Sequence, residues 1–212
     1  MKPFRNNHPT RKYTGTPKNN YKDYREILRQ DYDGRCGFTD CKDVWWAGGF
    51  QIDHFAPQNP KILDAIKLSK FSAKEHVYEN LIYASPQVNR IKSNDWPSDD
   101  PDVSIVGKEG YFHPCDVDFN DYFERTDCGG IVPKDHPIAR YMWKKLKLYL
   151  KRYELYWRIE KIAEQQKKLI TLKNTLNLPE TIKAEVNEGI AELAEEYQKY
   201  FSYLEVNYLE IV

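Results

Sequence analysis

The sequence predicts an α+β chain, and three features carry that expectation. Two short strand-like runs, FQIDHF and VYENLIYA, lead into a helix opening at SPQVNRIKS. Further short extended pieces follow, and the C-terminal third has apolar residues at helical spacing. A chain of 212 residues accommodates one compact domain with an appended element, and not two large domains.

Residues 1–20 are rich in Pro, Asn, Thr and Lys without apolar periodicity, so they are expected to form an extended or disordered basic arm. Residues 21–137 are expected to form the main domain. Its first helix begins near Tyr21, where Tyr24, Ile27, Leu28 and Tyr32 fall at helical intervals, and Gly34 ends it. The Trp45-Trp46 region and Gly48-Gly49 read as a hairpin feeding the strand FQIDHF. Residues 57–76 read as a loop plus a short helix, and Val77 to Ala84 contains the second strand. Ser85 then caps a helix that has Pro86 at an early position. In the Pro-rich stretch 94–137, YFHPCDVDFNDYF and GGIVP are expected to be strands.

Residues 138–212 are expected to form a helical hairpin. Ile138, Met142, Leu146, Tyr149, Tyr153, Tyr156 and Ile162 line one helix running to about 175, and NLPE breaks it. A second helix carries Ile182, Val186, Ile190, Leu193, Tyr197, Phe201 and Leu204 on one face.

Basic and acidic residues balance at 32 each, so no global positive field announces a nucleic-acid partner. The charge is segmental. Residues 1–35 carry nine Lys/Arg against four Asp/Glu, residues 36–137 ten against seventeen, residues 138–177 eleven against three, and residues 178–212 two against eight. Local basic patches beside an oxygen-rich centre suit a nuclease as well as a global field does. Four cysteines are too few for a disulfide scaffold, and MKPFRNNHPT lacks the apolar stretch of a signal peptide. A cytoplasmic chain with reduced thiols is expected. No run approaches the roughly 18 apolar residues of a membrane span.

Hydrolysis of a phosphodiester without a covalent intermediate needs an activated water, a cation to stabilise developing charge, and a frame holding both in line. Asp53 offers a hard oxygen for magnesium or manganese, His54 accepts a proton near neutral pH, and an asparagine amide oxygen adds a metal ligand without further charge. Adjacent strand residues face opposite sides, so the strand must end or bulge at Asp53-His54. Pro57 fits an exit into a loop there.

IDHFAP followed by YENLIYASPQVNRIKS resembles the core of the HNH, or ββα-metal, nucleases. The resemblance runs from about residue 50 to 93. It implies a ββα-metal core in which Asp53 is a metal ligand, His54 the general base, Asn80 the residue that holds the His54 loop, and Asn89 the second metal ligand. Arg90 and Lys92 stand where such nucleases place phosphate-contacting residues. SPQVNRIKS is similar to the corresponding stretch of the HNH domain of the CRISPR RNA-guided nuclease. Two oxygen ligands favour Mg2+ or Mn2+ over zinc as the catalytic ion. Many HNH proteins also hold a structural zinc through two CxxC pairs. Here Cys36 and Cys41 are separated by four residues, and the second pair's positions hold Ser85 and Val88, so reduced thiols are preferred to a zinc site on Cys36 and Cys41. His113 is read as a packed loop histidine, and the many Trp and Tyr as core.

The order of elements also resembles the small HNH subunits of bacterial defence modules, of the Septu type and some retrons, which are paired with an ABC-type ATPase. This implies that the C-terminal hairpin docks on such an ATPase. The expectation is a metal-dependent endonuclease acting on DNA. The alternatives are cleavage of RNA such as tRNA, or a non-catalytic binding subunit with a vestigial HNH core.

Overall fold

The computed structural model describes residues 1–46, 48–61 and 64–206. Residues 207–212, which the expected hairpin included, lie outside the described residues. In chain order the elements are β1 (Lys2–Pro3), α1 (Arg25–Asp31), β2 (Gln51–His54), α2 (Ala65–Ser72), β3 (Leu81–Ala84), α3 (Pro86–Lys92), β4 (Ile105–Val106) and β5 (Glu109–Gly110). They continue with β6 (Phe123–Arg125), β7 (Ile131–Pro133), α4 (Pro137–Lys145), α5 (Lys151–Thr175) and α6 (Glu180–Val206). The chain is mixed α+β, with a pair of long helices at its C-terminal end. It divides into one unit of Met1–Asp127 with Ile131–Tyr149 and a second of Cys128–Gly130 with Leu150–Val212.

In the first unit β2 and β3 pair antiparallel, with Ile52 opposite Tyr83 and His54 opposite Leu81. Every residue of β3 is buried, and α1 packs against it; Tyr24, Leu28, Phe38, Phe50 and Tyr83 are all buried in this unit, with the Phe50 and Tyr83 rings in contact. The approach is close at Gly37, where an added Cβ would sit 2.8 Å from the Ile82 side chain. Gly34, at φ +64°, closes α1 as expected. Ser85 accepts a hydrogen bond from the Val88 N–H (3.5 Å) and Pro86 opens α3. Ser85→Ala is therefore expected to cost about 1 kcal/mol, read as a lower urea midpoint at unchanged slope.

Four expectations need correction. Residues 1–20 carry little regular structure, but they are anchored: β1 pairs with β6, and Phe4 and Arg5 are buried. Arg125 is 1% exposed and donates to the Phe4 carbonyl (2.9 Å) and the Thr39 carbonyl (2.8 Å), so a buried guanidinium clips the arm down. Asp43–Trp45 forms a 3-10 turn, not a strand, because Tyr83 and Arg29 both bind the Asp43 carboxylate and curl the backbone round it. Of YFHPCDVDFNDYF only its end enters a strand, β6, paired with β7. His113 is buried between Arg11 and Phe55 and holds the preceding stretch as a loop. The helix expected from Ile138 to about 175 is two helices. Between them Lys147 takes φ +49°, and Leu146 and Leu148 are fully buried in the first unit.

On the rim of the first unit, Lys67, Lys70 and Lys74, in and just beyond α2, face Asp99, Asp100 and Asp102. These pairs are exposed, and each contributes little. In the second unit α5 and α6 run antiparallel: Arg158 donates to the Tyr200 hydroxyl (2.8 Å), and Gln166 to the Ile190 carbonyl. The break at NLPE lies where it was expected. No described helix is long and apolar enough to cross a membrane.

Candidate active site

β2 presents its residues alternately, and this sorts the site into two faces. Gln51 and Asp53 turn to α3. On that helix Asn89 and Lys92 lie three apart on one side, so they meet the strand in register. Asn89 Nδ2 donates to Gln51 Oε1 (2.9 Å), and Lys92 Nζ donates to Asp53 Oδ1 (3.2 Å) and to the His54 carbonyl (2.7 Å). The strand ends at His54 without a bulge, and Asp53 and His54 are neighbours at that end, Asp53 engaged by Lys92 and His54 by the Glu75 carbonyl.

The Asp53 carboxylate is 4% exposed, and its Oδ2 has no hydrogen-bond partner. Burial pushes its carboxyl up to about 6, with the Lys92 ammonium pulling the other way. An anionic oxygen held out of water without a donor is a site that favours a cation.

His54 is fixed from two directions. Its Nε2 lies 3.0 Å from the Glu75 carbonyl, an acceptor only, so Nε2 carries the hydrogen and Nδ1 keeps the lone pair. Burial lowers its pKa, opposed by that carbonyl, and the ring is neutral at pH 7. Asn80 braces the backbone on both sides of the ring. Its Oδ1 accepts from the Ala56 N–H (2.8 Å), and its Nδ2 donates to the carbonyls of Ala56 (3.0 Å) and Lys74 (3.2 Å). Tyr21 covers the imidazole edge-on at 4.7 Å.

The residues singled out from sequence therefore divide as follows. Asp53, His54 and Asn80 lie together at the end of β2, and Asn89 is on the same α3 face as Lys92. Arg90 is exposed. Lys92 is not where a phosphate contact was expected: its side chain is 0% exposed and paired inside the unit, because the helix turns that position onto Asp53. Cys36 and Cys41 are buried free thiols side by side, the Cys36 N–H donating to the Cys41 carbonyl (2.9 Å). Burial raises the Cys36 thiol, but hydrogen bonds with Cys41, Thr39 and the Ser85 backbone outweigh it and bring it down to about 6. Among the described residues no three His, Cys, Asp or Glu side chains converge as a metal group.

Comparisons with protein-family models, curated proteins and solved structures found no match to this chain. The site stands on its own geometry. Two of its parts escaped the sequence. Gln51 was legible in principle, because it lies two residues before Asp53 on the same face. Tyr21 was not, since nothing local links it to a histidine 33 residues later.

Proposed function

We propose that this chain is a divalent-metal-dependent endonuclease of the HNH, or ββα-metal, kind. The observation that carries the reading is the placement of His54, its Nε2 committed to the Glu75 carbonyl and its Nδ1 left as a base, one residue from a buried carboxylate whose Oδ2 has no hydrogen-bond partner. Nδ1 takes the proton of the attacking water, and Asn80 keeps the ring from swinging away. The water oxygen bonds to phosphorus as the bond to the leaving sugar oxygen breaks.

The donor set fits Mg2+ or Mn2+. Asp53 and Asn89 would hold the ion through hard oxygens, since Asn89 spends its Nδ2 on Gln51 and keeps its amide oxygen. When bound, the cation supplies charge stabilisation to the phosphate and the leaving oxygen. Arg90, exposed on α3, would contact a phosphate. DNA is the first substrate to test and structured RNA the second.

The same reading gives the α5–α6 hairpin to docking on an ABC-type ATPase. Ile170, Leu172, Leu176 and Ile182, exposed towards the bend of the hairpin, would be its contacts.

Plasmid DNA and a structured RNA, each incubated with the chain and Mg2+, with and without a co-encoded ATPase, should be cut. No cleavage in any combination removes the proposal. A pH dependence follows from Asp53. A proton competes with the cation below about pH 6 and not above, so Mn2+ affinity by calorimetry should be flat near pH 8 and fall about tenfold per unit below 6. A flat profile down to pH 4.5 would take Asp53 out of the ligand set.

A further inference from the structure

We infer that the cleft lined by Tyr21, Lys22, Arg25, Gln51, Ile52 and Asn89 seats the sugar-phosphate backbone of a nucleic acid, with Lys22 and Arg25 as its phosphate contacts. The inference deepens the nuclease reading and rests on it for the class of polymer that enters.

The floor of the cleft is the strand that carries the site. Gln51 and Ile52 directly precede Asp53 and His54, and Gln51 joins Asn89 across the base. One wall is the 3-10 turn Tyr21–Tyr24, started by Asn20, whose Oδ1 accepts from the Lys22 N–H (3.0 Å), and continued into α1 by Arg25. This fixes the backbone beneath both cations.

The charge on that wall is uncompensated. Elsewhere in this unit Arg29 is paired with Asp43, Arg11 with Asp116, Lys74 with Asp102 and Lys92 with Asp53. Among the described residues neither Lys22 nor Arg25 has a carboxylate partner. Arg25 spends one N–H on the Gly48 carbonyl (2.7 Å), which steadies the guanidinium and leaves its other donors for an anion. Two cations, the Arg25 guanidinium steadied on Gly48 and Lys22 exposed beside it, facing a cleft lined by Asn89, are matched by a row of phosphates more simply than by an isolated carboxylate.

The aromatic ring argues for backbone over bases. Tyr21 is already engaged, edge-on to His54 at 4.7 Å and stacked on His76 at 6.1 Å, so it is not a free platform for a base. Backbone contacts position a polymer without reading it, so binding through this cleft should tolerate sequence change. With Lys92 buried, the phosphate-binding role expected of it passes to these two residues.

The test uses the full chain in EDTA, so that binding is read without cleavage. Fluorescent duplex DNA, single-stranded DNA and a stem-loop RNA are titrated across a salt series, and the tightest arm names the polymer. The double variant Lys22→Gln/Arg25→Gln should bind at least about tenfold more weakly at 50 mM salt. Its log Kd against log salt slope should fall by about 1.8 on duplex or about 1.4 on single strands, two contacts' worth. Lys22→Glu, whose exposed side chain supports no packing, should weaken binding with an unchanged circular dichroism spectrum. Lys108→Gln, on the β4–β5 turn, should change nothing.

Wild-type affinity and slope in the double variant, while the wild type still cuts with Mg2+, would remove the cleft and leave the nuclease. Lost binding in the variant with a wild type that binds but never cuts would keep the cleft and remove hydrolysis. Absence of binding by the wild type in every arm overturns the inference.

Discussion

Replacing Lys92 with alanine is expected to destabilise the first unit by about 3–5 kcal/mol at pH 8, the range found when one partner of a buried ion pair is removed. Lys92 is wholly buried and donates to both Asp53 Oδ1 and the His54 carbonyl, so the truncation orphans a carboxylate and a backbone acceptor together. The loss should depend on pH. Asp53 sits at about 6 in the folded chain against an ordinary 3.8, so between those values the folded state holds a proton that the unfolded state has released. Folding stability from this group is thus greatest below 3.8 and declines as pH rises through 6, by roughly 3 kcal/mol in all. Without the ammonium the carboxyl rises further. The variant's deficit should then shrink at pH 4.5, where Asp53 is protonated and no bare charge remains. Urea denaturation at the two pH values measures both quantities, and an equal deficit at each would show that packing and not charge is lost. Asp53→Asn/Lys92→Met, which removes both charges, should recover much of the stability.

His54→Ala should lower kcat by about 10^2 to 10^4, the usual contribution of a positioned general base, and leave Mn2+ affinity within about twofold. The split matters because Asp53 and Asn89, not His54, would hold the ion. A variant that loses metal affinity in step with rate would place the imidazole in the ligand set. A variant that cuts at the wild-type rate would end the catalytic reading of His54. Asn80→Ala should fall between, since the base remains but its braces to Ala56 and Lys74 do not.

The segment from β2 to α3 was legible because its signals are local. A short alternating strand, a Ser-Pro helix start and a polar pair before a loop each act within a few residues, and the elements follow them closely. The break between α4 and α5 was not legible. Met142, Leu146, Tyr149 and Tyr153 keep helical spacing straight across it, and the residue that turns the chain is a lysine at positive φ where glycine would be expected. Lys92 was misplaced for a related reason. A lysine in the last turn of a short helix ordinarily faces water, and its anionic partner lies 39 residues earlier. The roles proposed for Asp53 and His54 follow from their chemistry and that of Asn80 from the family resemblance, whereas the Glu75 carbonyl that selects the His54 tautomer is a backbone atom and leaves no mark in the sequence.

The pairing of Lys2 with Arg125, and the clip of Arg125 onto Phe4 and Thr39, also bears on the order in which the chain can fold. During synthesis Lys2–Arg5 leave the ribosome long before their partner strand exists, so β1 must wait, solvated, until more than a hundred further residues have emerged. The apolar ring of Phe4 and the buried guanidinium of Arg5 can close only then. Such distant pairing slows folding relative to local helix formation and exposes an unpaired edge in the meantime. The β2–β3–α3 segment waits far less, since its own strand and helix pairings span about forty residues or fewer. The part of the chain assigned the chemistry can thus assemble before Lys2–Arg5 are sealed in.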